Sequence, residues 1–543
     1  LEYRIIYDKD FRRETVPASN NEYLIVDKLR DLFREHADWV KYIDIPTSSW
    51  FENECYLELN GESIPCKALP YTSTCEVEGY FNKALLMKNS LKTTSKVEDP
   101  IYFIQFPEEL DVTKYIVLKL YEKGAKAVIF YDKKPGVYRR SVIVGCETYS
   151  LYHGSPPPIP VVSITREDYT RIEDILRKSN GSPKIRLYVN AYTKHNLRSR
   201  IVLAGINGSG EKEIHITAHH DHWFTGFSDD LIGVETLYQL IRGIREWRGV
   251  NLVFISFSSE EIGAPYYMSW YWAWGSRYYL RVLDEKNDAE RVIADVNIDA
   301  IYKYPLEIYG NPSLSHCIEK IARKYNIVYR GYDHMDFDSF SYTLHGVPAL
   351  TITTIDNIDP VYHSNIDDGS SNDKNIVNNT IEVAYELIKC ISENRPRYKY
   401  IVEYVKNEFD KINMLETRVL VSKVENLWKT IRKEEELIRF ITKNFTKVVY
   451  IPGVELEYET GLFTDLVFLG KILNNLDKYI GKIARIYSYD VEITCISPTQ
   501  INIDETRYAL KTTIANKAHM VNQFLEEKIA YYVLREKVKS KDL

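Results

Sequence analysis

The chain has 543 residues, 45% apolar and 27% charged, with 70 basic against 77 acidic side chains and a net charge of −7. That length is too great for one hydrophobic core and sets an expectation of about two to four domains. The balance excludes a disordered chain, the lack of any basic tract argues against nucleic-acid binding, and no apolar run reaches the ~18 residues of a membrane span.

The opening "LEYRIIYDKD" lacks both a methionine and an apolar leader, and the odd cysteine count fits a reducing compartment, so the expected location is the cytoplasm. Residues 22–36, "EYLIVDKLRDLFREH", carry apolar positions at helical spacing and read as an amphipathic helix. The strand-like "CYLELNG" follows. From 58 to 180 the texture is that of a small α/β module. Within it "KYIVLKLYEKGAKAVIFYD" (114–132) reads as strand, helix, strand, and "IPVVSITREDYTRIEDILRKS" as a strand running into a helix.

From 181 strands and helices alternate. "SRIVLAGINGSGEKEIHITAHHD" reads as two strands joined by a hairpin turn, because no lysine-threonine pair follows "GINGSG" and no helix opens there to make a phosphate loop. A helix ("GVETLYQLIRGIREW"), a strand ("NLVFISFSS"), a helical region, a strand ("RVIADVNIDAI"), a helix ("LSHCIEKIARKY") and a strand ("VPALTITT") come next. Fully apolar strands alternating with helices predict an α/β fold with a mostly parallel central sheet covered on both faces. After about 398 the strand signals thin out and long amphipathic helices take over. The expected division is therefore 1–57 plus 181–397 as the main α/β domain, 58–180 as an inserted small α/β domain, and 398–543 as a mainly helical C-terminal domain.

The seven cysteines form no CxxC pair, which disfavours a cysteine zinc site and a dense disulfide framework. Abundant Ile, Lys, Glu and Tyr with scarce Gln suggest a thermophile. Such organisms tolerate a few intracellular disulfides, and Cys66 and Cys75 are the closest pair along the chain.

Chemistry concentrates in "ITAHHDHWFTGFSDDLIGV", 216–234. His219 and Asp221 follow a strand, Asp229 precedes the next helix, Glu260 and Glu261 close a second strand, Asp299 closes a third and His363 follows a fourth. In open parallel sheets the carboxyl ends of strands form the ligand crevice. Two imidazoles and three carboxylates converging there suit two divalent ions that share one aspartate, with zinc preferred by this donor set. The second glutamate of the pair is then left for proton work.

This ordered set resembles the co-catalytic di-zinc peptidase family, which includes aminopeptidases, glutamate carboxypeptidase and the transferrin receptor. The resemblance runs through "HHD" (219–221), "GFSDDLIG" (226–233), "SSEEIG" ending at Gly263, "NID" (297–299) and "YHSNIDD" (362–368). It implies a zinc exopeptidase-like fold, with His219, Asp229 and Asp299 on one zinc and Asp229, Glu261 and His363 on the other; cobalt or manganese are expected substitutes. It further implies Glu260 as general base, Asp221 orienting His219 through its other ring nitrogen, and Tyr362 stabilising the oxyanion. "DSFSYTLHGVPA" (338–349), with Asp338, resembles the family's pocket-lining segment, and 58–180 resembles a protease-associated domain.

The expected function is hydrolysis of peptide bonds at chain termini by metal-activated water, as an aminopeptidase. The alternatives are a carboxypeptidase of the glutamate carboxypeptidase type and an inactive receptor-like binding protein; a single-zinc cyclase of related fold is a weaker rival. Peptides are the expected substrates, and the C-terminal helices offer a homodimer surface. Three departures from the family pattern stand out: Asp230 follows the bridging aspartate, His220 and His222 surround the "HHDH" motif, and an aromatic run with Trp270, Trp272 and Trp274 stretches the segment after Gly263. The bland readings make His215, His220 and His222 structural, Asp230 a neighbour of the ligands, Asp367 and Asp368 supports for the His363 loop, and "DNIDPVYHSNIDDGSSND" an ordinary loop lacking calcium spacing. The tryptophan run is expected near the mouth of the site, as packing or as pocket wall.

Overall fold

In the computed structural model one sheet extends from residue 39 to residue 353. The structure describes all residues except 1, 88–89, 95–96, 109, 146–153, 180–182, 269, 446–449, 452–453, 456–460, 477–483, 489–490, 497–502 and 540–543. The strands are β1 (Trp39–Leu59), β2 (Glu62–Pro65), β3 (Lys67–Ala68), β4 (Cys75–Met87), β5 (Ser90–Thr93), β6 (Pro100–Gln105), β7 (Ala127–Tyr131), β8 (Val161–Ile164), β9 (Lys184–Ile206), β10 (Glu213–His219), β11 (Asn251–Phe257), β12 (Val292–Ile298), β13 (Glu307–Gly310), β14 (Val328–Tyr329) and β15 (Ala349–Thr353). Their order is β14-β13-β15-β12-β10-β11-β9-β4-β6-β7-β8-β3, with β1 paired to β9 and β2, and β5 paired to β4.

The sheet is mixed rather than mostly parallel. Two parallel blocks, β11-β10-β12-β15 and β4-β6-β7-β8, are joined by β9, which runs antiparallel to β11, β4 and β1. The N-terminal half of β9 alternates buried with half-exposed residues, the pattern of an antiparallel strand with one wetted face. Only its C-terminal end, 201–206, is apolar throughout. The "GINGSG" turn also differs from expectation: β11 lies between β9 and β10, so the turn closes no hairpin.

The helices are α1 (Asn20–Arg34), α2 (Thr113–Glu122), α3 (Arg166–Lys178), α4 (Ile232–Gly243), α5 (Trp274–Glu285), α6 (Ser315–Tyr325), α7 (Ser339–Leu344), α8 (Ile355–Ile358), α9 (Ile376–Glu393), α10 (Tyr398–Asp410), α11 (Leu415–Asn426), α12 (Glu434–Phe445), α13 (Gly461–Asn474) and α14 (Ile503–Lys539). The opening helix forms two residues early because Ser19 caps it, its side chain accepting the Glu22 amide, a contact worth about 1 kcal/mol. Residues 114–122, read as a strand, belong to α2. Ile116, Val117 and Leu120 fall on one buried helical face there, and the preceding strand is β6.

Alternation along β11 sorts the layers. Leu252 and Phe254 point into a core shared with α1, α4, α6 and α9. Val253, Ile255 and Phe257 point the other way, toward α5 and α7. Two cores lie on opposite faces of β6, β7 and β8: one, with α2, is built from residues of the 58–180 region, and the other, with α3, is shared with β1, β9, Trp223 and Ile262. Helices α10 to α14 share a further core. They dock on the sheet region through Arg397 N–H to the Ser313 carbonyl (3.0 Å) and Asn311 Nδ2 to Thr442 Oγ1 (3.0 Å). Two short hairpins, β16 (Tyr450–Ile451) with β17 (Val454–Glu455) and β18 (Ala484–Ser488) with β19 (Val491–Ile496), lie in this otherwise helical part.

Cys66 pairs with Cys55, not with Cys75, because β1 and β2 form a hairpin that brings the first two together. A second disulfide, Cys317–Cys390, ties α6 to α9. No helix among the described residues is long and apolar enough to cross a membrane.

Candidate metal centre

Strand order dictates the site. β10, β11 and β12 run parallel, with His219 opposite Phe257 and Thr217 opposite Asn297, so their carboxyl ends lie side by side. His219 ends β10, Glu260 and Glu261 follow β11, and Asp299 follows β12. Asp229 precedes α4, across a cis peptide to Asp230. Two ligand groups result, His219 with Asp229 and Asp299, and Asp229 with Glu261 and His363, each with its ligand atoms within 4.8 Å of one another. His219 Nε2 lies 3.2 Å from Asp229 Oδ1 and 3.6 Å from Asp299 Oδ1. His363 Nε2 lies 2.8 Å from Glu261 Oε2 and 3.5 Å from Asp229 Oδ2. Asp229 thus offers one oxygen to each group.

The neighbours fix these side chains. His219 Nδ1 faces the Asp221 carbonyl at 2.9 Å. A carbonyl only accepts, so Nδ1 carries the proton and Nε2 presents its lone pair to the site. The contact to His219 is made by the Asp221 main chain and not by its carboxylate. That carboxylate accepts the amides of Glu260 (3.0 Å) and Glu261 (3.1 Å). Asp367 accepts the amides of Ser228 (2.9 Å) and Asp229 (3.3 Å) and donates its own amide to the Ser364 carbonyl (3.1 Å), so it ties the segment of the shared ligand to the His363 loop. The Asp368 carboxylate accepts the Ser370 amide within its own turn (2.8 Å). Tyr362 stacks on the His363 ring, centroids 3.7 Å apart.

Electrostatics favour a cation here. Burial alone would drive His219 toward neutrality, yet the nearby carboxylates of Asp229, Asp299 and Glu260 hold its imidazole well above its ordinary value. Burial and neighbouring carboxylates push Glu260 and Glu261 well above the usual carboxylate range. His219 Nε2 and Glu261 Oε1 are buried without hydrogen-bond partners among the described residues. Burying several carboxylates together is costly unless positive charge compensates. Two imidazole nitrogens and three carboxylates, with one carboxylate shared, fit two divalent ions of the zinc type.

The remaining candidates fall outside both groups. His220 Nδ1 contacts Ser256 Oγ (2.9 Å), His222 Nε2 donates to the Phe11 carbonyl (2.9 Å), and His215 Nδ1 contacts the Tyr342 hydroxyl (2.9 Å). Asp230 accepts the amides of His219 (3.3 Å) and Gly233 (3.0 Å). A Cβ on Gly233 would sit 2.2 Å from that carboxylate, which requires glycine there. Asp338 is buried at the start of α7, its carboxyl pushed up to about 7 by burial first, then by Asp299 and Asp221.

The tryptophan run is packing, not a mouth. Trp270 and Trp272 are buried with Met335, Phe340 and Leu344. The Arg277 guanidinium sits 4.1 Å over the Trp270 ring. Ala273 N–H donates to the Glu260 carbonyl (2.8 Å) and Trp274 N–H to the Ser259 carbonyl (2.8 Å), so the run braces the glutamate pair from behind. Two residues escaped the sequence reading, Arg139 and Arg140, whose contacts reach the His363 loop. Nothing in "VYRRS" separates them from surface arginines.

Residues 202–388 match the model of Peptidase family M28. They form a peptidase family M28 domain. Every residue of the two ligand groups lies within the M28 match, and the chain is accordingly a metallopeptidase, a hydrolase. A search of curated proteins finds no match. Among solved structures, a zinc aminopeptidase from Bacillus subtilis is similar with TM-score 0.53 at 17% identity, over 70% of this chain and 91% of that one. A peptidase M28 precursor from Shewanella amazonensis is similar with TM-score 0.55 at 16% identity, over 72% and 92%. These likenesses extend the M28 fold beyond the matched segment.

Proposed function

We propose that the chain is a two-zinc exopeptidase, an aminopeptidase, that hydrolyses peptide bonds at chain termini. The observation that carries this is Asp229, whose two oxygens serve two separate ligand groups, while Glu260 stands beside them as a member of neither. The M28 match and the likeness to the Bacillus subtilis zinc aminopeptidase support the zinc and the aminopeptidase reading. His219, Asp229 and Asp299 would hold one ion and Asp229, Glu261 and His363 the other. Ions bound there supply Lewis acidity, polarising the scissile carbonyl and acidifying the attacking water.

The protein's side chains do the rest. Glu260 Oε2 lies 4.0 Å from His219 Nε2, at the edge of the first group. It takes the water's proton and delivers it to the leaving amine nitrogen. Asp221 holds the Glu260 amide and His219 together, so base and ligand keep one geometry. Tyr362, stacked on His363, is the donor we assign to the developing oxyanion. All ligands and the base are intact, which speaks against a receptor-like protein without activity.

Three further readings belong here as our proposals. The chain divides into 1–57 plus 181–397, the protease-associated-like 58–180, and the helical 398–543. The helical part pairs subunits. The protein is cytoplasmic in a thermophile, where disulfides persist inside the cell.

Peptides blocked at one end test the specificity. Cleavage of C-blocked but not N-blocked peptides, abolished in Glu260→Ala, is expected. Cleavage only of peptides with a free C-terminus would replace the aminopeptidase by a carboxypeptidase.

A further inference from the structure

His363 differs from the other ligands in what holds it. It sits in a loop with φ near +50°, a conformation that non-glycine residues adopt at a cost, and no strand of the β10-β11-β12 block carries it. Its carbonyl accepts the Arg140 amide (2.8 Å). The carbonyl of Tyr362 accepts Arg139 Nη1 (2.6 Å), and that of Pro360 accepts Arg139 Nη2 (3.3 Å) and Lys134 Nζ (3.2 Å). Asn365 is bound at both ends: its side-chain oxygen accepts the Tyr138 amide (2.8 Å) and its Nδ2 donates to the Gly136 carbonyl (3.0 Å).

All these partners lie in 134–140, within the 58–180 region. Arg139 is itself locked. Its Nε donates to Asp132 Oδ2 (2.5 Å), just past β7, and its amide to Ser163 Oγ (3.2 Å) on β8. Arg139 and Asp132 are both more than nine-tenths buried. A buried guanidinium with a fixed carboxylate partner and a fork onto two carbonyls of one loop, those of Pro360 and Tyr362, is a rigid brace. Removing one partner of such a pair leaves the other charge stranded.

We propose that Arg139 is a positioning residue for the Asp229–Glu261–His363 metal site, and that through it the 58–180 region sets the affinity of that site and not of the other. This rests on the two-metal reading above. The brace acts on the main chain beside the ligand and touches none of His219, Asp299 or their supports. Loss of outer contacts to a ligand lowers metal affinity by about 10–100-fold.

The test is zinc titration of the full-length protein by calorimetry, with bound zinc counted after dialysis. It compares wild type, Arg139→Ala and Arg139→Lys; the last keeps the charge opposite Asp132 but cannot fork onto two carbonyls. Circular dichroism and a thermal melt establish folding. The expected result is one zinc binding as in wild type and the second weakened about 10–100-fold, with the lysine variant between. Two unchanged affinities in either folded variant overturn the proposal, as does equal weakening of both sites. If the alanine variant does not fold, the lysine variant alone decides by the same criteria. A wild type that binds one zinc or none removes the two-metal reading, and this proposal with it, and is seen before any variant is made.

Discussion

The two sides of the metal centre are built by different means. His219, Glu261 and Asp299 stand at or just past the ends of adjacent parallel strands. Their relative positions follow from sheet register, and the surrounding core is apolar and fully buried. His363 stands in a loop whose main chain is tied by polar contacts to a region more than two hundred residues away in sequence. The strand side depends on packing, which is non-directional and spread over many residues. The loop side depends on a few directional bonds. A site made this way keeps one position by the general stability of the domain and tunes the other through single residues.

That contrast can be broken at several points. The largest effect is expected at the junction. Asp229→Ala removes the ligand common to both groups, so zinc content should fall at both sites and hydrolysis should drop to background, read by metal analysis and a peptide assay. Next comes Glu260→Gln, which leaves both ligand groups complete. We expect kcat to fall about 10²–10⁴-fold with zinc content unchanged. A variant that lost metal in proportion to activity would make Glu260 a ligand instead.

The strand side should answer to packing. Replacing both Cys317 and Cys390 by serine opens the link between α6 and α9, and α9 lies against the core that β12 shares. Native disulfides contribute about 2–5 kcal/mol, so denaturant unfolding of the sheet region should shift by that order while activity per folded molecule is kept. Changed metal stoichiometry in the folded state would show that the strand side is less autonomous than we argue.

Acid should expose a smaller weakness at the same place. Burial first, against a partly compensating bond to Phe11, depresses His222 from 6.5 to about 4. The folded state therefore binds fewer protons than the unfolded state between those values. Stability is fully present above 6.5 and is lost as pH falls toward 4, by about 3 kcal/mol. His222→Asn should give a shallower acid limb in denaturant titrations between these limits, and an unchanged limb would remove His222 from the account.

How much of this the sequence carried follows from the same contrast. Ligand types at strand ends, in order, brought out His219, Asp229, Glu261, Asp299 and His363 as one set, and their division into two groups came from the family resemblance. Strand-end residues are legible because an apolar run announces where a strand stops. The mixed sheet was hidden by β9, whose apolar C-terminal end looks like the parallel strands beside it. The α2 segment was misread because a short run of Ile, Val and Leu suits strand and helix alike. Trp270 and Trp272 left packing and pocket wall both open because aromatic insertions have no period to show which face is buried. The Arg139 brace left no trace at all: hydrogen bonds to main-chain carbonyls across distant segments have no residue pattern.

The central claim is a metal pair sharing Asp229 with Glu260 as base, and one purified sample tests it most directly. Bound zinc per chain and hydrolysis of aminoacyl reporter amides would be measured together, for wild type and Glu260→Ala. The account predicts about two zinc ions per chain in both proteins, with hydrolysis only in the wild type. Stoichiometric loading with a single ion, or hydrolysis surviving in Glu260→Ala, would contradict it.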